Sequence, residues 1–204
     1  MPQPLSLVAP YANVEIGNVG FGTIARRPDL AVLSMAAIAA WAHVESFMLR
    51  AYVELAGGSD ADAAAVYLAL EGAGPKTKVI AVLAERKLSA AHLALLRAIL
   101  KVAKSGQKER DKLAHWIWGT SEELPEALLL ADPRNLTHES GSILVYKKED
   151  FASMHMRFER IASWGQTFGF ILSGHPANRD GQLYEQLCRE PEIAEILNRH
   201  AQQG

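Results

Sequence analysis

The residues of this chain whose types and spacing could do chemistry fall together in Glu109-Arg110-Asp111-Lys112-Leu113-Ala114-His115. A histidine exchanges protons near neutral pH, an arginine stabilises negative charge on a phosphate oxygen, and a carboxylate orients an imidazole. Apolar residues at steps of three and four (Leu93, Leu96, Leu100, Ala103) predict an amphipathic helix, and the same steps carried on pass through Gln107, Arg110, Ala114 and Ile117. Arg110 thus stands in core register. A buried arginine is costly without a partner, so the position calls for a carboxylate or a polar cleft. Asp111 lies four residues before His115 and can reach it on a helix. Arg110 lies five residues before it, about 140° away around the axis at roughly 100° per residue. The two share a face only if the helix distorts or ends between them, and Gly106 and Trp116-Ile117-Trp118-Gly119 offer such an ending. A purely structural role is equally compatible with these residues: His115 bonded to Asp111 in an interior, and Arg110 paired with Glu45 or Glu109 to hold the fold.

The elements that must position this segment read as helices. Residues 1–27 mix Pro, Gly and Asn without a sustained period and predict an extended N-terminal arm; Gly17, Gly20 and Gly22 lack the strand and helix that a dinucleotide-binding loop needs. Pro28 suits a first helical position, and Leu30, Leu33, Ala37, Trp41, Val44, Met48, Ala51 and Leu55 predict one long helix stopped by Gly57-Gly58. Ser59 is a candidate N-cap for a second helix to about residue 71, and a third follows over about 75–87. Pro75-Lys76-Thr77 lacks both the preceding glycine and the strand of a phosphate loop, and reads as a turn between helices. Ser89 caps the motif helix. Ala127-Leu128-Leu129-Leu130 and Ile143-Leu144-Val145-Tyr146, separated by Asp132-Pro133 and Gly141, predict a projecting β-hairpin over about 127–146. Asp150 then caps a helix marked by Phe151, Met154, Phe158, Ile161, Trp164, Phe168 and Ile171, and an amphipathic stretch over about 180–201 closes the chain. The fold class is an all-α helical bundle with a small β-hairpin insertion, one domain over residues 28–204.

Composition narrows the chemistry. Twenty-one basic against 23 acidic residues give a net charge of −2, which excludes nucleic-acid binding driven by bulk charge and leaves only local contacts. One local stripe exists: Arg97, Lys101, Lys104 and Lys108 recur at helical steps toward Arg110 and Lys112, fit either to track a phosphate backbone or to form a solvated helix face. The seven histidines are scattered, with no His-Glu-x-x-His pair, so no metal site and no cofactor are expected. Ser46, Ser142 and Ser173 lack the glycine-flanked elbow of a hydrolase nucleophile. Cys188, the single cysteine, reads as a small packing residue that cannot form an internal disulfide. Together with the absence of a signal-peptide pattern before Pro10, it predicts a cytoplasmic location. The longest apolar run, Leu30 to Ala42, ends at His43 and Glu45, short of the roughly 20 residues of a bilayer span, and predicts a buried helix with no membrane association.

The motif resembles the signature of the HEPN group: an arginine, a polar residue, three further residues and a histidine, often preceded by alanine. Arg110 and His115 match the two defining positions, Asp111 takes the polar one, and Trp116 stands where a glycine often follows. The resemblance covers about residues 28–175 and takes in the first long helix with Trp41, His43 and Glu45. It implies a HEPN-like bundle and, for active members, metal-independent RNA cleavage of a stress-response or defence type. His115 would then move a proton, Arg110 would stabilise the phosphorane, Asp111 would orient the imidazole, and Glu45 would be a supporting acid. It also implies a homodimer meeting beside the motif helix, with Trp116 and Trp118 as candidate anchors, and an antitoxin-like protein partner. Its alternative is a non-catalytic helical dimer that binds a nucleotide, RNA or a protein.

Overall fold

The computed structural model describes residues 1–10, 14–17, 19, 22–135 and 142–202. Helix predominates. In chain order the elements are β1 (Gln3–Pro4), α1 (Leu5–Val8), a 3-10 turn (Ile24–Arg26), α2 (Pro28–Ala56), α3 (Asp60–Ala69), α4 (Ala73–Lys87), α5 (Ala90–His115), β2 (Ile117–Gly119), β3 (Leu128–Ala131), β4 (Ile143–Tyr146), α6 (Lys148–Leu172), a 3-10 segment (Pro176–Gly181), α7 (Gln182–Arg189) and α8 (Pro191–Ala201). They divide into two compact units, Met1–Trp41 with Gly106–Phe158, and Ala42–Ser105 with Glu159–Gly204.

In the first unit the expected hairpin is the centre of a larger sheet. β3 and β4 pair antiparallel with Leu129 opposite Val145 and Leu130 opposite Leu144; β2 adds beside β3 and β1 beside β4, giving the order β1-β4-β3-β2. The two added strands are too short to leave a period-2 signal. Both faces of the central pair are covered, which explains the uninterrupted leucines of β3. On one face Leu129, Ile143 and Val145 pack with Leu5 and Ala127, flanked by Val8 and Ile16. The expected arm is therefore not free along its length: Gln3–Pro4 is a sheet edge, where a proline without an N–H is tolerated, and Leu5 is buried. Gly20, and Gly141 in the connection between β3 and β4, lie outside the described residues.

On the other face Tyr146 and Phe151 meet with ring centres 5.4 Å apart, and Trp118 stacks on Phe151 at 6.3 Å. The start of α6 also packs on the start of α2: Trp41 and Phe158 make an edge-to-face pair at 5.1 Å, and His155 Nδ1 lies 3.2 Å from the Ala36 carbonyl oxygen. Arg27 anchors the entry to α2, donating to the Pro125 carbonyl and, at 2.9 Å, to Asp29 in the helix's first turn.

The second unit holds α3, α4, α7, α8 and the remaining segments of α2, α5 and α6. Two of the three predicted caps are present: Ser59 Oγ accepts from the Asp62 N–H and Ser89 Oγ from the His92 N–H; Asp150 is not the N-cap of α6, which begins at Lys148, but lies in its first turn and accepts back from the Lys147 N–H at 3.0 Å. α2 stops at Gly57, whose φ of 72° suits a residue without Cβ, and Lys87 Nζ donates to the orphan Ala56 carbonyl at 3.0 Å. The single terminal stretch expected over 180–201 is two helices, because Pro191 forces Glu190 into extended geometry before it starts α8. α2 is long and apolar enough, by length and composition, to cross a bilayer. Its Leu30, Ala37, Trp41, Val44, Phe47 and Leu55 are buried here, while Val32 and Met35 are exposed.

In the second unit α6 packs tightly at Gly165, where a Cβ would overlap the Phe47 ring. We expect Gly165→Ala to destabilise the fold by about 1–3 kcal/mol through overpacking. Gly74→Ala, where a Cβ meets open space, should leave stability unchanged or slightly raised. Urea midpoints of the two variants check the contrast.

Candidate functional site

The motif lies on the last turns of α5, in the first unit. Gly106 does not break the helix: α5 is continuous through His115, and the Trp116 N–H still donates to the Lys112 carbonyl at 3.0 Å. Arg110 and His115 accordingly stay about 140° apart around one axis and do not share a face. The aromatic run expected to end the helix inside the motif forms β2 just after it.

Each cation of the segment is given a carboxylate. Arg110 Nη1 donates to Asp111 Oδ1 at 3.1 Å, the two side chains being 28% and 41% exposed. The carboxylate expected to orient His115 is thus engaged by Arg110, since a charge-assisted bond to an adjacent guanidinium is strong. Lys112 Nζ donates to Glu109 Oε1 at 2.8 Å and lies 5.6 Å from the Trp116 ring centre. The other Glu109 oxygen accepts a 3.5 Å hydrogen bond from the Tyr146 hydroxyl. Trp118 Nε1 donates to the Leu113 carbonyl at 3.2 Å, satisfying one of the open carbonyls of the helix end. His115 is exposed, and no side-chain hydrogen bond or ion pair reaches it among the described residues.

Glu109 and Tyr146 are the members that sequence reasoning missed in this role. The Glu109–Lys112 spacing of three was a readable signal; the arrival of Tyr146 from β4 was not. Burial, then the neighbouring Glu109 charge, pushes the Tyr146 phenol up from its ordinary range.

The other predicted residues divide between the units. Lys108, in the first, is exposed. Arg97, Lys101 and Lys104 belong to the second and are exposed, and Arg97 is bound to Glu85 of α4. Glu45 is also in the second unit, exposed on α2. There burial, and secondarily the Glu45 charge, raise the Tyr67 phenol to about 12. Among the described residues no group of three or more His, Cys, Asp or Glu side chains is placed to hold a metal ion. No protein-family model, curated protein or solved structure matches this chain.

Two outcomes follow from the buried phenols. Below pH 10 the Tyr67 phenol is protonated in both folded and unfolded chains, and its contribution to stability is fully present. From pH 10 to about 12 only the unfolded form ionises, so stability should fall as pH rises through this window. Denaturant midpoints against pH, alongside phenolate absorbance, check this. Tyr146→Phe should cost about 0.5–1.5 kcal/mol, the usual range for one hydrogen bond, in the same unfolding measurement.

Proposed function

We propose that this chain is a HEPN-like protein that cleaves RNA without a metal ion, with Arg110 and His115 as the working pair. The observation that carries the reading is the exposed, uncommitted imidazole of His115 on the last turn of α5, five residues beyond the partly buried guanidinium of Arg110. In the reaction, a ribose 2′-hydroxyl attacks the adjacent phosphorus and the bond to the 5′-oxygen breaks, leaving a 2′,3′-cyclic phosphate and a 5′-hydroxyl. His115 exchanges the proton, and the Arg110 guanidinium stabilises the charge that develops on the phosphorane oxygens. Because the two groups diverge around the helix, an RNA strand engages both by wrapping the helix end, or two copies of the chain each supply one. Lys108, exposed on the preceding turn, adds positive charge beside Arg110. An antitoxin-like protein covering His115 would silence such a site.

The Arg110–Asp111 bond favours a second reading, a non-catalytic module that binds RNA or a protein through the same helix end, since it offsets the charge that cleavage needs. The two readings separate in a cleavage assay. His115→Ala should lower the rate about 10²–10⁴-fold, the usual contribution of general acid–base catalysis, and Arg110→Ala should likewise remove most of the activity. Chelator should make no difference, products should end in 2′,3′-cyclic phosphate, and DNA of the same sequence should stay intact. Wild-type protein that binds but never cuts a broad panel of RNAs would leave the binding module.

A further inference from the structure

A groove of about 820 Å³ runs along the second unit between α2 and α6, lined by residues of that unit. Its floor is the contact of Phe47 with Gly165. From His43 to Glu54 the α2 wall is about 17 Å long at 1.5 Å per residue, the dimension of a seat for a helix. On the α6 wall stands Gly169, around which a Cβ would meet nothing within 4 Å, so a second backbone can approach closely.

The charges on the α2 wall define the occupant. Arg50 and Glu54 are both exposed, one helical turn apart on one face, and neither makes an ion pair or hydrogen bond among the described residues. An occupant that satisfies both must carry the same two charges in reverse order along its axis. We propose that this groove is the contact surface for a second copy of the chain, docked antiparallel about a two-fold axis. In that arrangement Arg50 faces the partner's Glu54, and Glu54 faces the partner's Arg50, so one pair of residues on a single face yields two ion pairs. Of the two anchors expected beside the motif helix, Trp118 is already stacked on Phe151 and bonded to the Leu113 carbonyl. The inference does not rest on RNA cleavage, and its test does not read cleavage.

Light scattering and sedimentation of the full chain at micromolar concentration test it. Wild type should show twice the 22.3 kDa chain mass. Arg50→Glu and Glu54→Arg each juxtapose like charges twice across the axis and should raise the dissociation constant about tenfold or more. The double variant R50E/E54R restores complementarity and should return the dimer. Gly169→Trp should leave the helical circular dichroism intact but lose the dimer. A monomeric wild type, a dimer indifferent to both single reversals, or a double variant that stays monomeric would overturn the proposal. In the second case the dimer uses another face.

Discussion

The aromatic cluster of Trp118, Tyr146 and Phe151 is the interaction on which the motif's setting depends. It gathers one residue from β2, one from β4 and one from the first turns of α6. Tyr146 and Phe151 are fully buried, and at roughly 1.5–3 kcal/mol for burying a large apolar side chain they contribute strongly to this unit. The same residues reach the end of α5 through their polar atoms. Trp118 closes the Leu113 carbonyl and Tyr146 bonds Glu109, so the sheet fixes the turn that presents Lys112 and His115.

Electrostatics on that turn follow from proximity along the helix. Arg110 takes the neighbouring Asp111, and Lys112 takes Glu109 one turn back. Side chains with about a quarter of their surface exposed are desolvated enough to need partners, and the nearest carboxylates supply them. His115, last in the helix, has outrun this supply and is left to solvent. The turn therefore carries an exposed imidazole beside a guanidinium whose charge is offset by Asp111.

The second unit is governed by a different constraint, close approach without side chains. Gly165 lets the Phe47 ring sit against the α6 backbone, and Gly169 one turn later faces open space. One glycine therefore builds the core and the other leaves a surface, although both belong to the same helix. Around that surface the uncommitted Arg50 and Glu54 contrast with the paired charges of the motif turn.

Much of the helical frame was legible because it is written locally. The apolar repeats of α2, α5 and α6, the Ser59 and Ser89 caps and the glycine stop at Gly57 act within one or two turns, and the structure has them where the spacing puts them. The β3–β4 pairing was legible from two runs of β-capable residues, while β1 and β2, at two and three residues, were too short to carry a pattern. The candidate residues Arg110, Asp111 and His115 were likewise named by sequence, as was the 140° that separates the first from the last. Only tertiary structure decided whether α5 would stop inside the motif: the helix runs through Gly106, buried and packed, because surrounding contacts outweigh the modest helical cost of one glycine. It also decided that Asp111 serves Arg110 rather than His115, and that Tyr146, 37 positions from Glu109, joins the site. A sequence specifies which partners a side chain can reach within its own helix, but a choice among them depends on burial and on strands that arrive from elsewhere in the chain.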